Sequence, residues 1–247
     1  MSRNACFAAS LALFAVAPAL ADTPAFDRPG IAFSTTTLPV GGLAWEQGLP
    51  DFVHDSGSGA SATLYSAGTN VRIGLTPQVE LQIGAALFNW LDADGGNESG
   101  IGDTSLALKA ALPSDWKDFS WAVLGAVSLP TGDDPFTADD PQYDLGVTFS
   151  QDLDGDLSAA FYVNASHLDG DTTWSISPSL GVAISDRLGA YVEAGADFGA
   201  SAQDRVAGGG LTWMLTPRVQ LDESAVCGLN DETPDVAGGF GVSAYFE

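Results

Sequence analysis

The sequence predicts an all-β fold, a transmembrane antiparallel β-barrel of the up-and-down type with about 12 strands. The first observation is a two-residue period near the C-terminus, which sends alternate side chains to opposite faces of a strand. One face carries Val236, Gly238, Phe240, Val242, Ala244 and Phe246, and the other carries Ala237, Gly239, Gly241, Ser243 and Tyr245. The second observation is an N-terminal export signal, behind which the same period recurs along the chain. Together they indicate a barrel of the bacterial outer membrane, because the strands of such barrels alternate in this way.

Residues 1–21 are predicted to be a cleaved signal peptide. The chain begins with a positive start at Arg3, continues with an apolar stretch over 5–17, and reaches Ala19 and Ala21 with one residue between them. This order is typical of secretory signal peptides, and we expect cleavage before Asp22. The apolar stretch is too short for a membrane anchor, which requires about 20 residues.

The composition of the remaining chain excludes several classes of protein. No later segment approaches about 18 consecutive apolar residues, which excludes membrane-spanning helices, although 45% of all residues are hydrophobic. The formal net charge is −24, from 32 acidic residues against 8 lysines and arginines. Nucleic acid is therefore not expected as a partner, because phosphate contacts require basic patches.

Residues 22–41 are predicted to form an N-terminal segment that lies in the periplasm or in the lumen. Residues 33–38 within it fit either a short strand or an inward-folded plug. A plug predicts that deletion of residues 22–40 raises the conductance of the barrel.

Residues 42–247 are predicted to form the barrel itself. The predicted strands span 42–54, 60–75, 79–91, 103–112, 119–130, 142–151, 157–168, 172–184, 188–199, 205–215, 218–228 and 235–246. Their connections alternate between tight turns, such as Thr76-Pro77-Gln78, and longer, mostly acidic loops, such as 131–141. Since outer-membrane barrels have short periplasmic turns and longer extracellular loops, both termini are expected on the periplasmic side.

The two faces of each strand are assigned by parity. A charged side chain on the lipid face near mid-bilayer costs about 2–4 kcal/mol for Arg or Lys and less for acids, so the polar faces line the lumen. Aromatic side chains on the lipid face fall into two girdles. Trp45, Trp121, Phe149, Trp213 and Phe246 lie near the periplasmic turns, and Tyr65, Trp174 and Phe198 lie near the outer loops. Glu223 is an exception on the lipid face, which indicates either a bulge or a protein–protein contact.

Six ionisable residues are predicted to lie in the lumen at a similar depth, near the periplasmic turns. This lumen charge set consists of Glu46, Arg72, Glu80, Lys109, Glu193 and Asp222. It fits two interpretations, a filter on the pathway of a substrate or a structural network of salt bridges that fills the lumen. Barrels of about 8 strands are filled by side chains and barrels of about 16 contain an open channel, so the strand number favours neither interpretation.

The sequence predicts no catalytic centre, metal site or cofactor. The acidic run 152–156 lacks the glycine and the glutamate that a calcium-binding loop requires. Ser166 and His167 are adjacent in a predicted strand and therefore face opposite ways, so they do not form a nucleophile–base pair.

Several segments occur in an order that resembles a known protein family. They include Leu43-Ala44-Trp45-Glu46-Gln47-Gly48, residues 100–109, Ser128-Leu129-Pro130-Thr131-Gly132, residues 188–193 and residues 208–217. Over residues 28–247, the chain resembles the transporter-like outer-membrane family labelled "putative MetA-pathway of phenol degradation". The resemblance implies a role in passing aromatic or other hydrophobic compounds across the outer membrane.

We therefore expect a passive, porin-like transporter of small, hydrophobic or aromatic compounds in the outer membrane of a Gram-negative cell. The expected partners are the lipid bilayer, lipopolysaccharide, a small-molecule substrate and the outer-membrane assembly machinery, which would recognise the C-terminal strand. One alternative is a structural or surface-interaction barrel with a filled lumen. A second alternative is a lipid-modifying outer-membrane enzyme.

Overall fold

Antiparallel strands make up most of the chain. The computed structural model describes residues 25–57, 61–199 and 203–247, and the predicted signal peptide lies outside them. The strands are β1 (Leu43–Asp55), β2 (Ala62–Thr76), β3 (Val79–Ala93), β4 (Gly96–Gly100), β5 (Thr104–Leu112), β6 (Phe119–Leu129), β7 (Gln142–Asp152), β8 (Leu157–Leu168), β9 (Asp171–Ser185), β10 (Leu188–Phe198), β11 (Arg205–Thr216), β12 (Val219–Gly228) and β13 (Val236–Phe246). In the described part of the chain, no helix is long and apolar enough to cross a membrane.

The sheet closes on itself. β1 pairs with β2, β2 with β3 and β3 with β5; each later strand pairs with the next, and β13 returns to pair with β1. Twelve of the described strands therefore form a closed barrel without a free edge, which satisfies the backbone in a membrane. The prediction of an all-β, antiparallel, up-and-down barrel is confirmed.

β4 is a strand that the sequence pattern did not predict, within the loop assigned to 92–102. It pairs with the outer end of β3, over Asn89–Ala93. The two strands are joined by Asp94-Gly95, a dipeptide favoured in tight hairpin connections. β4 extends one loop outwards and adds no strand to the barrel wall.

An irregularity in β1 brings Asp51 into the lumen. The pairing of β1 with both of its neighbours shifts register just before this residue. Pro50 lies at the shift, and proline within strands is confined to edges and bulges because it cannot donate a ladder hydrogen bond. Strict alternation from Glu46 places Asp51 on the lipid face, whereas its carboxylate contacts Arg28 in the lumen.

Glu223 lies on the lipid face of β12. It is opposite Leu211 of β11 and Phe240 of β13, and neither pairing shifts register around it. The interpretation that a bulge turns Glu223 away from the lipid is therefore wrong. A protein–protein contact at this position stays a prediction.

Replacing this carboxylate tests whether it faces lipid. We expect Glu223→Leu to raise the free energy of unfolding in lipid vesicles by less than about 2 kcal/mol, because a lipid-facing acid costs less than a lipid-facing Arg or Lys. Guanidinium titration of the vesicle-embedded protein measures the effect. Glu98→Leu, in the extramembrane strand β4, serves as the control and leaves the unfolding curve unchanged. A loss of stability, or of an oligomer, would instead support the protein contact.

The described part of the N-terminal segment, residues 25–41, lies within the barrel. Residues 33–38 form no strand. Phe26 and Leu38 pack against Ala44 of β1 and Tyr245 of β13 to form a small apolar core, with Met214 beside it. The described chain therefore places its buried apolar cluster between the segment and the inner wall, near the periplasmic end.

Gly74 of β2 allows the backbone of the segment to reach the wall. A Cβ atom at this position would lie 2.0 Å from the carbonyl oxygen of Pro39, so a larger residue would displace the segment. In return, the N–H of Gly41 donates to the Gly74 carbonyl oxygen at 2.9 Å.

Candidate functional site

Arg72 is the centre of the lumen charge set. Its side chain points inwards from β2 and is completely buried. The guanidinium donates from Nε to Glu80 Oε1 at 2.8 Å and from Nη1 to Glu46 Oε1 at 2.8 Å. Nη1 also donates to the backbone carbonyl oxygen of Ala25 at 3.0 Å. The planar fork of five N–H donors is what allows one arginine to join two strands and the N-terminal segment.

Lys109 of β5 forms the second cationic contact. Its Nζ lies 3.0 Å from Glu80 Oε1 and 2.8 Å from Asp27 Oδ1, and it is also completely buried. Asp27 belongs to the N-terminal segment, and its other carboxylate oxygen accepts from Gln82 Nε2 at 2.7 Å. Lys109 and Gln82 therefore hold the segment against β3 and β5.

Glu46 of β1 holds the same part of the segment by its backbone. Its two carboxylate oxygens accept from the N–H groups of Asp27 at 3.1 Å and Arg28 at 2.9 Å. Because these backbone donors are independent of side-chain identity, Glu46 fixes the path of the chain itself.

Arg28 links the segment to β1 and to β12, on the two sides of β13. Its two terminal nitrogens donate to the two carboxylate oxygens of Asp51, each at 2.8 Å. Nη2 also lies 3.2 Å from Asp222 Oδ1, and the Arg28 carbonyl oxygen accepts from Gln220 Nε2 at 2.9 Å. Bidentate arginine–carboxylate pairs are geometrically specific, so this contact fixes the orientation of Arg28.

Two further carboxylates accept hydrogen bonds from the backbone of the segment. Glu193 of β10 accepts from the N–H of Ile31 at 3.0 Å. Glu80 accepts from the N–H of Leu38 at 2.8 Å. The segment is thus attached to the wall on opposite sides of the lumen.

All six members of the lumen charge set are buried, at 0–8% exposure. Glu46, Arg72, Glu80 and Lys109 are in direct or shared contact, whereas Asp222 joins through Arg28 and Glu193 contacts only the backbone of the segment among the described contacts. The geometry favours a salt-bridge network that holds the N-terminal segment over an open ring that filters a substrate.

The alternation of side chains along the strands did not predict the residues that contact the lumen charge set. Asp27 and Arg28 lie outside the strands, so alternation carries no information about them. Asp51 was missed because of the bulge, although Pro50 in the strand was a usable signal. Gln82 and Gln220 are uncharged lumen residues, and their role is visible only from their contacts.

The N-terminal segment leaves free space in the lumen on two sides. A periplasmic cavity of about 310 Å³ lies between the segment and the inner face of β7–β10. An extracellular cavity of about 460 Å³ lies between the segment and the inner face of β2, β3, β5 and β6. Asp27 borders both cavities, so the segment lies between them.

The acidic outer loop 131–141 is folded back onto the wall by one carboxylate. Asp103 accepts hydrogen bonds from Thr131 N, Gly132 N, Thr137 Oγ1 and Ala138 N at 2.6–3.1 Å. Burial raises the pKa of this carboxyl, but the four hydrogen bonds outweigh burial and hold its pKa below the ordinary value of 3.8. Asp103 also lines the extracellular cavity.

This lowered pKa predicts how the loop responds to acid. A carboxyl with a depressed folded-state pKa stabilises the folded loop above its ordinary pKa, and this stabilisation is lost as the pH falls through the folded-state value. We expect residues 131–141 to stay protected at neutral pH and to lose protection below about pH 3.8. Asp103→Asn should lose much of that protection at neutral pH. Hydrogen exchange, corrected for the intrinsic rate, measures both effects, and Asp139→Asn in the same loop is the matched control.

The structure does not bring Ser166 and His167 together as a nucleophile–base pair. Ser166 is opposite Asp144 on the inner face, whereas His167 is opposite Tyr143 on the outer face and contacts Thr172. Within residues 25–57, 61–199 and 203–247, no group of three or more His, Cys, Asp or Glu side chains is placed to hold a metal ion.

Solved structures share this architecture. An outer membrane channel from Pseudomonas putida F1 is 13% identical, with 89% of this chain and 99% of that chain covered and a TM-score of 0.64. KdgM porin in complex with disordered oligogalacturonate is 10% identical, with 83% and 99% covered and a TM-score of 0.58. NanC porin is 12% identical, with 83% and 99% covered and a TM-score of 0.52. At these identities the likeness shows the fold alone, that of outer-membrane channels and porins.

No significant match was found among curated protein sequences. A family model described as "Putative MetA-pathway of phenol degradation" matches residues 26–246, almost the whole described chain. The predicted resemblance and the predicted location in the outer membrane are therefore confirmed. The chain is an outer-membrane β-barrel in contact with the lipid bilayer, and it belongs to the family described as "Putative MetA-pathway of phenol degradation".

Proposed function

We propose that this protein is a passive outer-membrane channel for small, hydrophobic or aromatic compounds, and that the N-terminal segment is its constriction. The observation that carries the proposal is the free space on both sides of the segment, about 310 Å³ towards the periplasm and about 460 Å³ towards the outside. A barrel whose lumen served only as a packed core would have few voids larger than a water molecule.

The proposed pathway runs along the neutral part of the wall. Four members of the lumen charge set, on β1, β2, β3 and β5, make their polar contacts with one another and with the segment. The opposite wall carries small and hydroxyl side chains, among them Ser128, Thr148, Ser150, Ser158 and Ser179. Small side chains leave room for a solute, and hydroxyl groups can replace part of its hydration. In this proposal, Glu46 and Glu193 border the pathway, and the lumen charge set holds the segment that sets its width.

The substrate class rests on two supports. The family description refers to phenol degradation. Aromatic side chains also border the periplasmic cavity, where Phe33 packs edge-on against Tyr162 with ring centroids 5.7 Å apart. Flat apolar solutes pack well against such rings.

A structural barrel with a filled lumen is the second candidate. The buried salt-bridge network around Arg72 favours it, because such a network makes a rigid lumen. The width of the lumen distinguishes a channel from a structural barrel, since a filled lumen carries no steady current.

Planar-bilayer recording of the refolded mature protein tests the proposal. Steady single-channel currents that phenol or related aromatic compounds reduce when added to one side would support the channel. A protein that is heat-modifiable on a gel, and therefore folded, but carries no current would contradict the channel and support the structural barrel.

A further inference from the structure

The periplasmic cavity has the size and walls of a small-molecule site. Its volume of about 310 Å³ lies at the lower end of the range for ligand pockets, about 300–1,000 Å³. The N-terminal segment forms one wall and the inner face of β7–β10 forms the other.

Strand register places polar side chains side by side on the barrel wall of this cavity. One row across β7 to β10 consists of Ser150, Ala160, Ser179 and Glu193, and the next consists of Ser158, Gly181 and Tyr191. Gly181 lies between two hydroxyl-bearing residues, and the Ser158 hydroxyl leans over it, since a Cβ atom at Gly181 would lie 2.7 Å from Ser158 Oγ. The wall therefore offers several hydroxyl groups to the cavity.

Thr148 provides a hydroxyl group without a partner. It borders the cavity from β7 and is only 2% exposed. Within the described part of the chain, its Oγ1 has no hydrogen-bond partner. Leaving a buried hydroxyl unsatisfied is costly, and most such groups are paired in native proteins. A hydroxyl group on a bound molecule would supply the partner.

The opposite wall combines apolar rings with the polar residues Asp27, Ser34, Thr35 and Thr36. Phe26, Pro29 and Phe33 of the segment border the cavity. The Phe33 and Tyr162 rings meet at 83°, which fixes the plane of Phe33. A small flat ring bound in the cavity could make a further edge or face contact with Phe33.

The charged residues that border the cavity are acidic. Among the described residues that border it, Asp27 and Glu193 are the charged groups, and no lysine or arginine takes part. Asp27 is paired with Lys109, whereas Glu193 accepts a hydrogen bond from the N–H of Ile31. A carboxylate ligand would therefore meet acidic side chains, whereas an uncharged ligand would not.

We propose that the periplasmic cavity binds small, uncharged ring compounds that carry a hydroxyl group, the chemical class of phenol. This assignment rests on the proposed channel function, because such a subsite would hold a substrate during its passage. Phenol meets the description at neutral pH, since phenolic hydroxyl groups ionise near pH 10. Benzoate has the same ring with a negative charge and serves as the discriminating probe.

Calorimetric titration of the refolded mature protein with phenol and with benzoate tests the assignment. We expect saturable phenol binding at one site and benzoate binding that is at least tenfold weaker. Thr148→Val, which is nearly isosteric, should weaken phenol binding several-fold. Ser105→Ala removes a hydroxyl that borders the extracellular cavity instead and should leave phenol binding unchanged. Glu193→Gln should reduce the difference in affinity between phenol and benzoate, because it removes a negative charge from the cavity.

The outcomes separate this assignment from the channel itself. Equal binding of phenol and benzoate, non-saturable uptake of phenol, or an unchanged affinity of a folded Thr148→Val variant would overturn the subsite while bilayer currents still supported a channel. If Thr148→Val does not fold, two other measurements test the subsite. They are phenol binding by Ser179→Ala, which should be weakened, and the comparison of phenol with benzoate on the unaltered protein. Saturable, selective phenol binding by a protein without current would overturn the channel and leave a binding site in a closed barrel.

Discussion

Deletion of residues 22–40 is expected to raise the single-channel conductance several-fold. The described part of this stretch occupies the lumen between the two cavities, where Asp27 borders both. Barrels of about 16 strands are open and those of about 8 are filled by their own side chains. At twelve strands, the width of the lumen therefore depends on what else lies inside it. Planar-bilayer recording of the deleted and complete proteins, each checked for heat-modifiability, measures the change.

A graded variant and a matched control strengthen this experiment. Asp27→Ala combined with Arg28→Ala keeps the segment but removes its contacts to Lys109 and Asp51, so we expect fluctuating currents of intermediate size. Arg218→Ala disrupts an ion pair with Glu247 at the periplasmic end, away from the segment, and should leave the conductance unchanged. A folded deletion variant with the conductance of the complete protein would show that the segment does not limit the current.

Replacement of Arg72 is expected to have the largest effect on stability. Arg72→Met leaves Glu46 and Glu80 buried at 0–1% exposure without their guanidinium partner. Removing one member of a buried ion pair typically costs about 3–5 kcal/mol, because the other charge is left without compensation. We therefore expect a comparable loss in the free energy of unfolding in guanidinium, together with a segment that a protease can cut.

The control for this substitution is a cation at the surface. Lys117 pairs with Asp118 while 91% exposed, and pairs of this kind contribute little, so Lys117→Met should leave the unfolding curve unchanged. Adding Glu80→Gln to Arg72→Met should restore part of the loss, because it removes one of the two buried charges. An Arg72→Met variant that unfolds like the unaltered protein would contradict the network.

The same substitution separates the two interpretations of the lumen charge set. If the six residues were mainly a filter, Arg72→Met would change ion preference and leave the segment in place. If they attach the segment, the variant would be less stable and its current would rise towards that of the deletion. The contacts of Glu46 with two backbone N–H groups favour the second result.

The barrel and the direction of its side chains followed from the sequence because both depend on local rules. A strand repeats every two residues, and lipid excludes charge uniformly along the whole wall. These two facts are enough to place Arg72, Glu80 and Lys109 in the lumen without knowledge of any partner. Asp51 departs from the rule because one bulge reverses parity, and its only local signal is Pro50.

The extra strand β4 shows a second limit of local reasoning. The Asp94-Gly95 connection was visible in the sequence, but an extracellular hairpin carries no lipid-facing stripe. Without that stripe, alternation over five residues is too weak a signal to separate a strand from a loop.

The sequence was sufficient to predict a twelve-stranded outer-membrane barrel, its membrane-facing surface and the identity of its lumen charges. The role of those charges became visible only in the folded chain. Arg28 meets Asp222 across 194 positions of the chain, and Lys109 meets Asp27 across 82. Such contacts exist only after the barrel closes and the segment enters it. No periodicity encodes them, because they depend on which surfaces closure brings together rather than on the neighbours of each residue.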